Sequence, residues 1–205
     1  MMTRSIAGIS FLAALAIAGV AYAQSSAPGK TKKATFAGGC FWCVEADFDK
    51  VEGVISTTSG YIGGKTTKPT YGQVSAGGTG HVEAVEIVFD PAKVSYEKLL
   101  QVFWRNIDPV AKDRQFCDSG DMYRSAIFFH GHEQQVLAEK SKKDIEASGR
   151  FTQPIATELA AASTFYPAED YHQDYYKKNP RKYSFYRWNC GRDQRLEQIW
   201  GKKTS

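Results

Sequence analysis

One turn of the chain constrains its fold more than any other feature. The short apolar run Ala34-Thr35-Phe36-Ala37 leads into Gly38-Gly39 and then Cys40, after which Phe41, Val44, Phe48 and Val51 recur at helical spacing. The pattern predicts a strand that turns through two glycines into a helix, with Cys40 at or near the helix N-terminus. Unpaired N–H groups and the helix dipole at such a position favour a thiolate. Cys40 is therefore a candidate nucleophile, and the adjoining Phe41-Trp42 pair suggests an apolar ligand.

The rest of the chain continues in alternating signals. Gly53 ends the first helix and a strand is predicted over 54–61, followed by a loop over 60–71 rich in Gly, Thr and Pro. Residues 81–90 form a strand in which Glu83, Val85, Ile87 and Phe89 share one face. Ser95 is placed to cap a helix with a Leu99, Leu100, Phe103, Trp104 and Ile107 stripe, and Val94 can staple onto Leu99. A polar loop over 108–121, a strand over 123–129 and a charged amphipathic helix over 133–148, ended by Gly149, come next. A weaker strand is expected over 155–159, a short helix over 168–178 opened by Pro167, and a last helix over 192–200. Strand, helix, strand, strand, helix, strand is the split βαβ order. The expected fold is α+β, a ferredoxin-like two-layer sandwich with an irregular C-terminal tail. No internal repeat is present.

Residues 1–23 have the build of a secretory signal peptide: one charge at Arg4, an apolar run over 6–20, and Ala21-Tyr22-Ala23 as a small-x-small cleavage site. The run is shorter than the ~20 residues a spanning helix needs. Export implies an extracytoplasmic compartment, the periplasm for a bacterial protein, with 24–33 as a flexible lead-in. Loss of Arg4 takes the formal charge from +4 to +3, and that charge is spread along the chain. The Lys177-Lys178 and Arg181-Lys182 cluster is read as a solvated face rather than a nucleic-acid site. Neither a nucleic-acid partner nor, after leader removal, a membrane is expected. With 12 Phe, 11 Tyr and 4 Trp the remainder can bury the core of one domain.

The four cysteines, Cys40, Cys43, Cys117 and Cys190, could form two structural disulfides in an oxidising compartment, though a domain of this size does not need them. Only one Cys-x-x-Cys pair exists, and no His, Asp or Glu set has metal spacing, so no metal is expected. Phosphate loops and dinucleotide fingerprints are also lacking, and no cofactor is expected. Glu83 ends an apolar row. If that face is buried, desolvation keeps the carboxyl protonated and able to act as a general acid; the alternative is a strand end at which it reaches water. Tyr71 and Tyr123 are hydroxyl donors or amphipathic core residues. Asp118 precedes Gly120 in a turn-rich loop.

Several of these segments together resemble the peptide methionine sulfoxide reductase A family: Gly39-Cys40-Phe41-Trp42; Gly60-Tyr61 with Gly63-Gly64; Pro69-Thr70-Tyr71; Gly80-His81 with Glu83-Ala84-Val85; and Asp118 with Gly120 and Tyr123-Arg124-Ser125. Phe165-Tyr166 with Ala168-Glu169, Tyr171-His172-Gln173 and Lys178-Asn179-Pro180 extend the likeness to about residue 180. The resemblance implies a catalytic reductase domain over 34–180 that returns the S epimer of methionine sulfoxide, free or in proteins, to methionine. Cys40 would attack the sulfoxide sulfur and Glu83 match the proton donor. Tyr71 and Tyr123 would bind the sulfoxide oxygen, with Asp118 nearby through water, and Phe41 and Trp42 would wall the methyl group. Cys40 would become a sulfenic acid, a second cysteine would close a disulfide with it, and a thioredoxin-like donor would reduce that disulfide. The family varies in the resolving cysteine. Cys190, in a mobile-looking tail over 181–205, is preferred to Cys43, and Cys117 is a third candidate. Met122 stands where the family usually has glutamine, which predicts a less polar pocket rim.

Three rivals remain open at this level. A thioredoxin-like oxidoreductase would use Cys40 and Cys43 for dithiol exchange, though no cis-proline loop is evident. A cysteine hydrolase would pair Cys40 with His81 or His172. A non-catalytic binding domain would carry two disulfides and no free thiol.

Overall fold

The computed structural model describes residues 30–202, so the leader expected over 1–23 lies outside the described residues. In chain order the elements are β1 (Lys32–Gly38), α1 (Phe41–Phe48), β2 (Val54–Ile62), α2 (Tyr71–Ser75), β3 (Val82–Phe89), α3 (Tyr96–Arg105), β4 (Arg114–Gln115), β5 (Asp118–Ser119), a 3-10 turn (Asp121–Tyr123), β6 (Ser125–Phe129), α4 (His132–Ala147), β7 (Glu158–Ala161), β8 (Tyr166–Pro167), α5 (Tyr175–Lys178), α6 (Pro180–Asn189) and α7 (Arg192–Trp200). The main sheet has the order β7-β6-β1-β3-β2-β8. All pairs are antiparallel except β6 with β7, so the sheet is mixed. Short β4 and β5 form a separate hairpin within the long loop.

The period-two pattern of β1 sends its side chains to two faces. Ala34 and Phe36 join the main core, where the Phe36 ring stacks on Phe48 at 5.2 Å and on Phe103 at 5.0 Å. Ala37 faces the other way and packs with Ile62, Val82, Ala84, Ala126 and Phe128 under Ala160, Ala162 and Phe165. Ser95 caps α3 by accepting from Lys98 N at 3.2 Å, and the expected stripe is buried. Each buried large apolar side chain contributes roughly 1.5–3 kcal/mol. Among the described residues no helix is long and apolar enough to cross a membrane.

Three expectations are corrected, each by tertiary hydrogen bonds that local periodicity does not encode. The strand expected over 155–159 starts at Glu158, because Ala156 N donates to Pro109 O at 2.8 Å and the Thr157 hydroxyl bonds Ser125 at 2.9 Å. The helix expected over 168–178 is helical only at Tyr175–Lys178. Its first part is held as an edge of β2: Ala168 N donates to Ser59 O, and the Gln173 amide bonds both Ser59 N and Ser59 O. The tail is not irregular. Pro180 starts α6 at a position that needs no N–H. Arg187 pairs with Asp47 at 3.1 Å and Asp193 at 2.7 Å. Arg192, 1% exposed, donates to Gly38 O at 3.2 Å and Asn106 O at 2.7 Å and lies 4.5 Å over the Phe116 ring.

Gly39 is the point where the nucleophile's turn meets the long loop. Its φ is +80° and an added Cβ would lie 2.5 Å from Gln115 Cβ, whose side-chain amide bonds both Asp108 N and Asp108 O. Left-handed backbone and overpacking each cost on the order of 1–3 kcal/mol. Gly39→Ala is expected to lose about 3 kcal/mol in total, read as a lower denaturation midpoint in urea at unchanged slope. An unchanged midpoint would show that the loop yields freely.

Candidate active site

Cys40 is the N-cap of α1 and only 7% exposed. The donors of that helix start do not go to its sulfur. Phe41 N donates to Glu83 Oε2 at 2.9 Å, and Cys43 N and Val44 N donate to the Cys40 carbonyl at 3.0 and 3.3 Å. Burial, with the adjacent Cys43 and the Glu83 charge, therefore pushes the Cys40 thiol well up, and only the Tyr186 hydroxyl pulls it down. Cys43 is pulled down to about 7 by the hydrogen bond from Cys40, against burial, with help from the Arg192 and Arg187 charges. Of the two thiols, Cys40 is the one that keeps its proton at rest. This corrects the expectation that the helix start alone makes Cys40 a thiolate.

Glu83 does sit on the buried face of β3 with Val85, Ile87 and Phe89, opposite Tyr61 on β2, and is 2% exposed. The water-reaching alternative is therefore ruled out. Burial pushes its carboxyl up to about 8; the Phe41 hydrogen bond opposes this, and the Asp118 and Cys43 charges add to it. One oxygen accepts from Phe41 N, so the other can hold the proton for a ligand.

Tyr71 opens α2, which Thr70 and Gln73 cap reciprocally. Glu169 fixes that start: one carboxylate oxygen accepts from Tyr71 N at 2.8 Å and the other from the Tyr61 hydroxyl at 2.9 Å. Tyr123 ends the 3-10 turn, and its hydroxyl interacts with that of Tyr71. Burial raises both phenols, so both remain protonated donors. Met122 beside it is 5% exposed and belongs to the core, not to a pocket rim.

Trp42 remains partly exposed, whereas Phe41 is only 1% exposed. The Trp42 indole is clamped: Nε1 donates to His172 Nδ1 at 3.1 Å, Tyr175 stacks at 3.7 Å between centroids, and Tyr186 meets it edge-on at 5.8 Å. Of the two expected walls, Trp42 is thus the one that offers surface. His172 has its Nδ1 occupied by Trp42, while His81 accepts from Gly64 N and bonds Thr66 O. Neither imidazole is among the groups acting on the Cys40 thiol, which leaves the hydrolase reading without a base.

The cysteines divide into two pairs. Cys117 and Cys190 form a disulfide, and Cys40 and Cys43 are free and buried. The free thiols count against a domain stapled by two disulfides, and Cys190 is joined to Cys117 rather than to Cys40. Asp118 accepts from the Tyr186 hydroxyl and lies 3.6 Å from Cys117 Sγ and 3.9 Å from Cys190 Sγ. The ligand atoms of these last three residues fall within 4.8 Å of one another, but the disulfide takes both sulfurs.

The fold thus gathers Cys40, Glu83, Tyr71, Tyr123, Asp118 and Trp42 at one place, with the Cys117–Cys190 pair against Asp118. Sequence reasoning missed Tyr186 and the roles of His172, Glu169 and Arg192. Tyr186 is one of 11 tyrosines and no local pattern marks it.

Residues 32–204 match the sequence profile described as Peptide methionine sulfoxide reductase. A Bacillus licheniformis protein named peptide methionine sulfoxide reductase MsrA is 52% identical over 174 residues, covering 85% of this chain and 96% of that protein. A Listeria innocua protein of the same name is 53% identical over 169 residues, covering 82% and 96%. Among solved structures, methionine sulfoxide reductase A of Corynebacterium diphtheriae aligns with a TM-score of 0.67 at 36% identity, covering 76% of this chain and 77% of that one. Reduced Mxr1 of Saccharomyces cerevisiae aligns with a TM-score of 0.70 at 31% identity, covering 74% and 87%. A buried cysteine beside a buried acid, on a chain that the family profile matches over residues 32–204, places the protein in the peptide methionine sulfoxide reductase family.

Proposed function

We propose that this chain reduces the S epimer of methionine sulfoxide, free or in proteins, to methionine, as a repair of oxidised proteins. The observation that carries the chemistry is Glu83, a carboxyl kept protonated by burial beside a buried thiol. Cys40, once ionised, attacks the sulfoxide sulfur. Glu83 gives its proton to the sulfoxide oxygen, with the Tyr71 and Tyr123 hydroxyls as donors to that oxygen and Trp42 against the methyl group. The net exchange releases the thioether and leaves the oxygen on Cys40 as a sulfenic acid.

Cys190 then forms a disulfide with Cys40 and water leaves. Cys190 is four residues past Tyr186, on the same face of α6, and Tyr186 lies against Cys40. Cys117 attacks Cys190, freeing Cys40 as thiolate and giving the pair present in the structure. A thioredoxin-like dithiol reduces that pair, entering at Cys117, the more exposed residue of the two. Cys190→Ser is expected to yield one methionine per enzyme and then stall with a thioredoxin donor, while wild type turns over. Steady turnover in the variant would transfer the resolving role to Cys43 or Cys117.

The central strands β6-β1-β3-β2, antiparallel throughout, support the ferredoxin-like description. The leader pattern over 1–23 supports export to the periplasm. The deciding experiment is epimer-resolved reduction of a methionine sulfoxide peptide. Consumption of the S epimer alone supports the assignment, and no consumption of either with any thiol donor overturns it.

A further inference from the structure

Two side chains bridge the nucleophile and the recycling pair. The Asp118 carboxylate touches both disulfide sulfurs, with Oδ1 3.6 Å from Cys117 Sγ and Oδ2 3.9 Å from Cys190 Sγ. The same Oδ2 accepts the Tyr186 hydroxyl, and that hydroxyl reaches the Cys40 sulfur. Tyr186 cannot drift far from this position. Its ring is held edge-on against Trp42, its helix is tied to Asp47 through Arg187, and the chain beyond Cys190 is anchored by buried Arg192 at the start of α7. The methionine-forming step described above uses neither the Tyr186 hydroxyl nor any contact of Asp118 with the cysteines.

We propose that Asp118 and Tyr186 form a proton path from the recycling thiols to the oxygen carried by Cys40. The proposal rests on the sulfoxide-reductase reading, and it concerns the step after methionine has formed. In that step the Cys190–Cys40 bond forms and the S–O bond of the sulfenic acid breaks. The Cys190 thiol is oxidised, the sulfenic sulfur is reduced, and one water leaves. The thiol must lose a proton and the departing hydroxide must gain one. Asp118 accepts the thiol proton. Tyr186 donates its hydroxyl proton to the departing oxygen and is restored from Asp118. Both reacting centres are then served by groups already in contact with them, with no bulk water needed in a site where Cys40 is 7% exposed.

The surroundings suit such a path. Burial raises the Asp118 carboxyl, the Tyr186 hydrogen bond and the Arg192 charge oppose that rise, and burial keeps the Tyr186 phenol protonated. The other titratable groups facing the pair are Glu83 on β3, Tyr123 on the 3-10 turn, and Cys40 at the start of α1. None of them touches Cys190.

The test mixes reduced full-length enzyme with excess methionine sulfoxide. Methionine and dimedone-trappable sulfenic acid are then read in the same quenched samples. For Asp118→Asn, sulfenic acid is expected to persist about 10²-fold longer than in wild type near pH 6, where a free thiol does not ionise unaided. The difference should shrink to within about threefold near pH 9, where Cys190 ionises without a base. Tyr186→Phe, which keeps the ring against Trp42, should lengthen the lifetime similarly near pH 6. The double variant should be no slower than the slower single one, because breaking a path twice adds nothing. Unchanged lifetimes in both single variants, or an Asp118→Asn defect equal at both pH values, would overturn the path. Wild type that forms no methionine would instead overturn the activity reading.

Discussion

Cys40→Ser is expected to lower methionine formation by at least about 10³-fold with any thiol donor. A serine hydroxyl neither ionises in this buried turn nor can hold the sulfoxide oxygen as a sulfenic acid. The fold should survive, because the substitution removes no hydrogen bond that holds the turn: the capping interactions run through the Cys40 carbonyl and Phe41 N. The measurement is methionine released per enzyme, followed by chromatography, alongside the far-ultraviolet spectrum of the variant. Release within tenfold of wild type would transfer the nucleophile's role to Cys43, the neighbouring thiol.

Glu83→Gln should slow the single-turnover chemical step by ~10²–10⁴, the usual worth of a positioned general acid. Glutamine can still accept from Phe41 N but has no proton to transfer. The pH profile separates this from a packing defect. In wild type the productive form carries an ionised Cys40 and a protonated Glu83. Since burial puts the thiol above the carboxyl, which sits near 8, this form is a minority at every pH, and the rate should climb to about pH 8, level off, and fall only as the pH passes the higher pKa of the thiol. The variant should lose the falling limb. Stability follows the same sign. The folded carboxyl titrates above its unfolded value, so its neutral form is tolerated at low pH and stability is lost as pH rises through about 8. Glu83→Gln should therefore hold its denaturation midpoint better than wild type on the alkaline side. A profile with the same falling limb in both proteins would take Glu83 out of the proton transfer.

Local patterning made much of the scaffold legible. The β1–α1 turn, the alternation on β3, the Ser95 cap and the stripe of α3 each depend on side chains a few residues apart, which periodicity and capping rules describe. The β7 and α5 boundaries, helix α6 and the anchoring of the tail were misread for the opposite reason, while α7 lies over 192–200 as expected. Those segments are set by bonds from Pro109, Ser59, Asp47 and Gly38, all distant in sequence.

Residue order alone identifies the groups capable of the chemistry: a cysteine at a strand-to-helix turn, an acid ending an apolar row, aromatic walls and a set of family motifs. Their protonation states and pairings come from packing between distant segments. Packing buries Glu83 and keeps its proton, directs the first helical N–H to that acid rather than to Cys40, and brings Cys117 and Cys190 together across 73 residues. Desolvation and proximity depend on which surfaces meet, and no stretch of sequence records that meeting.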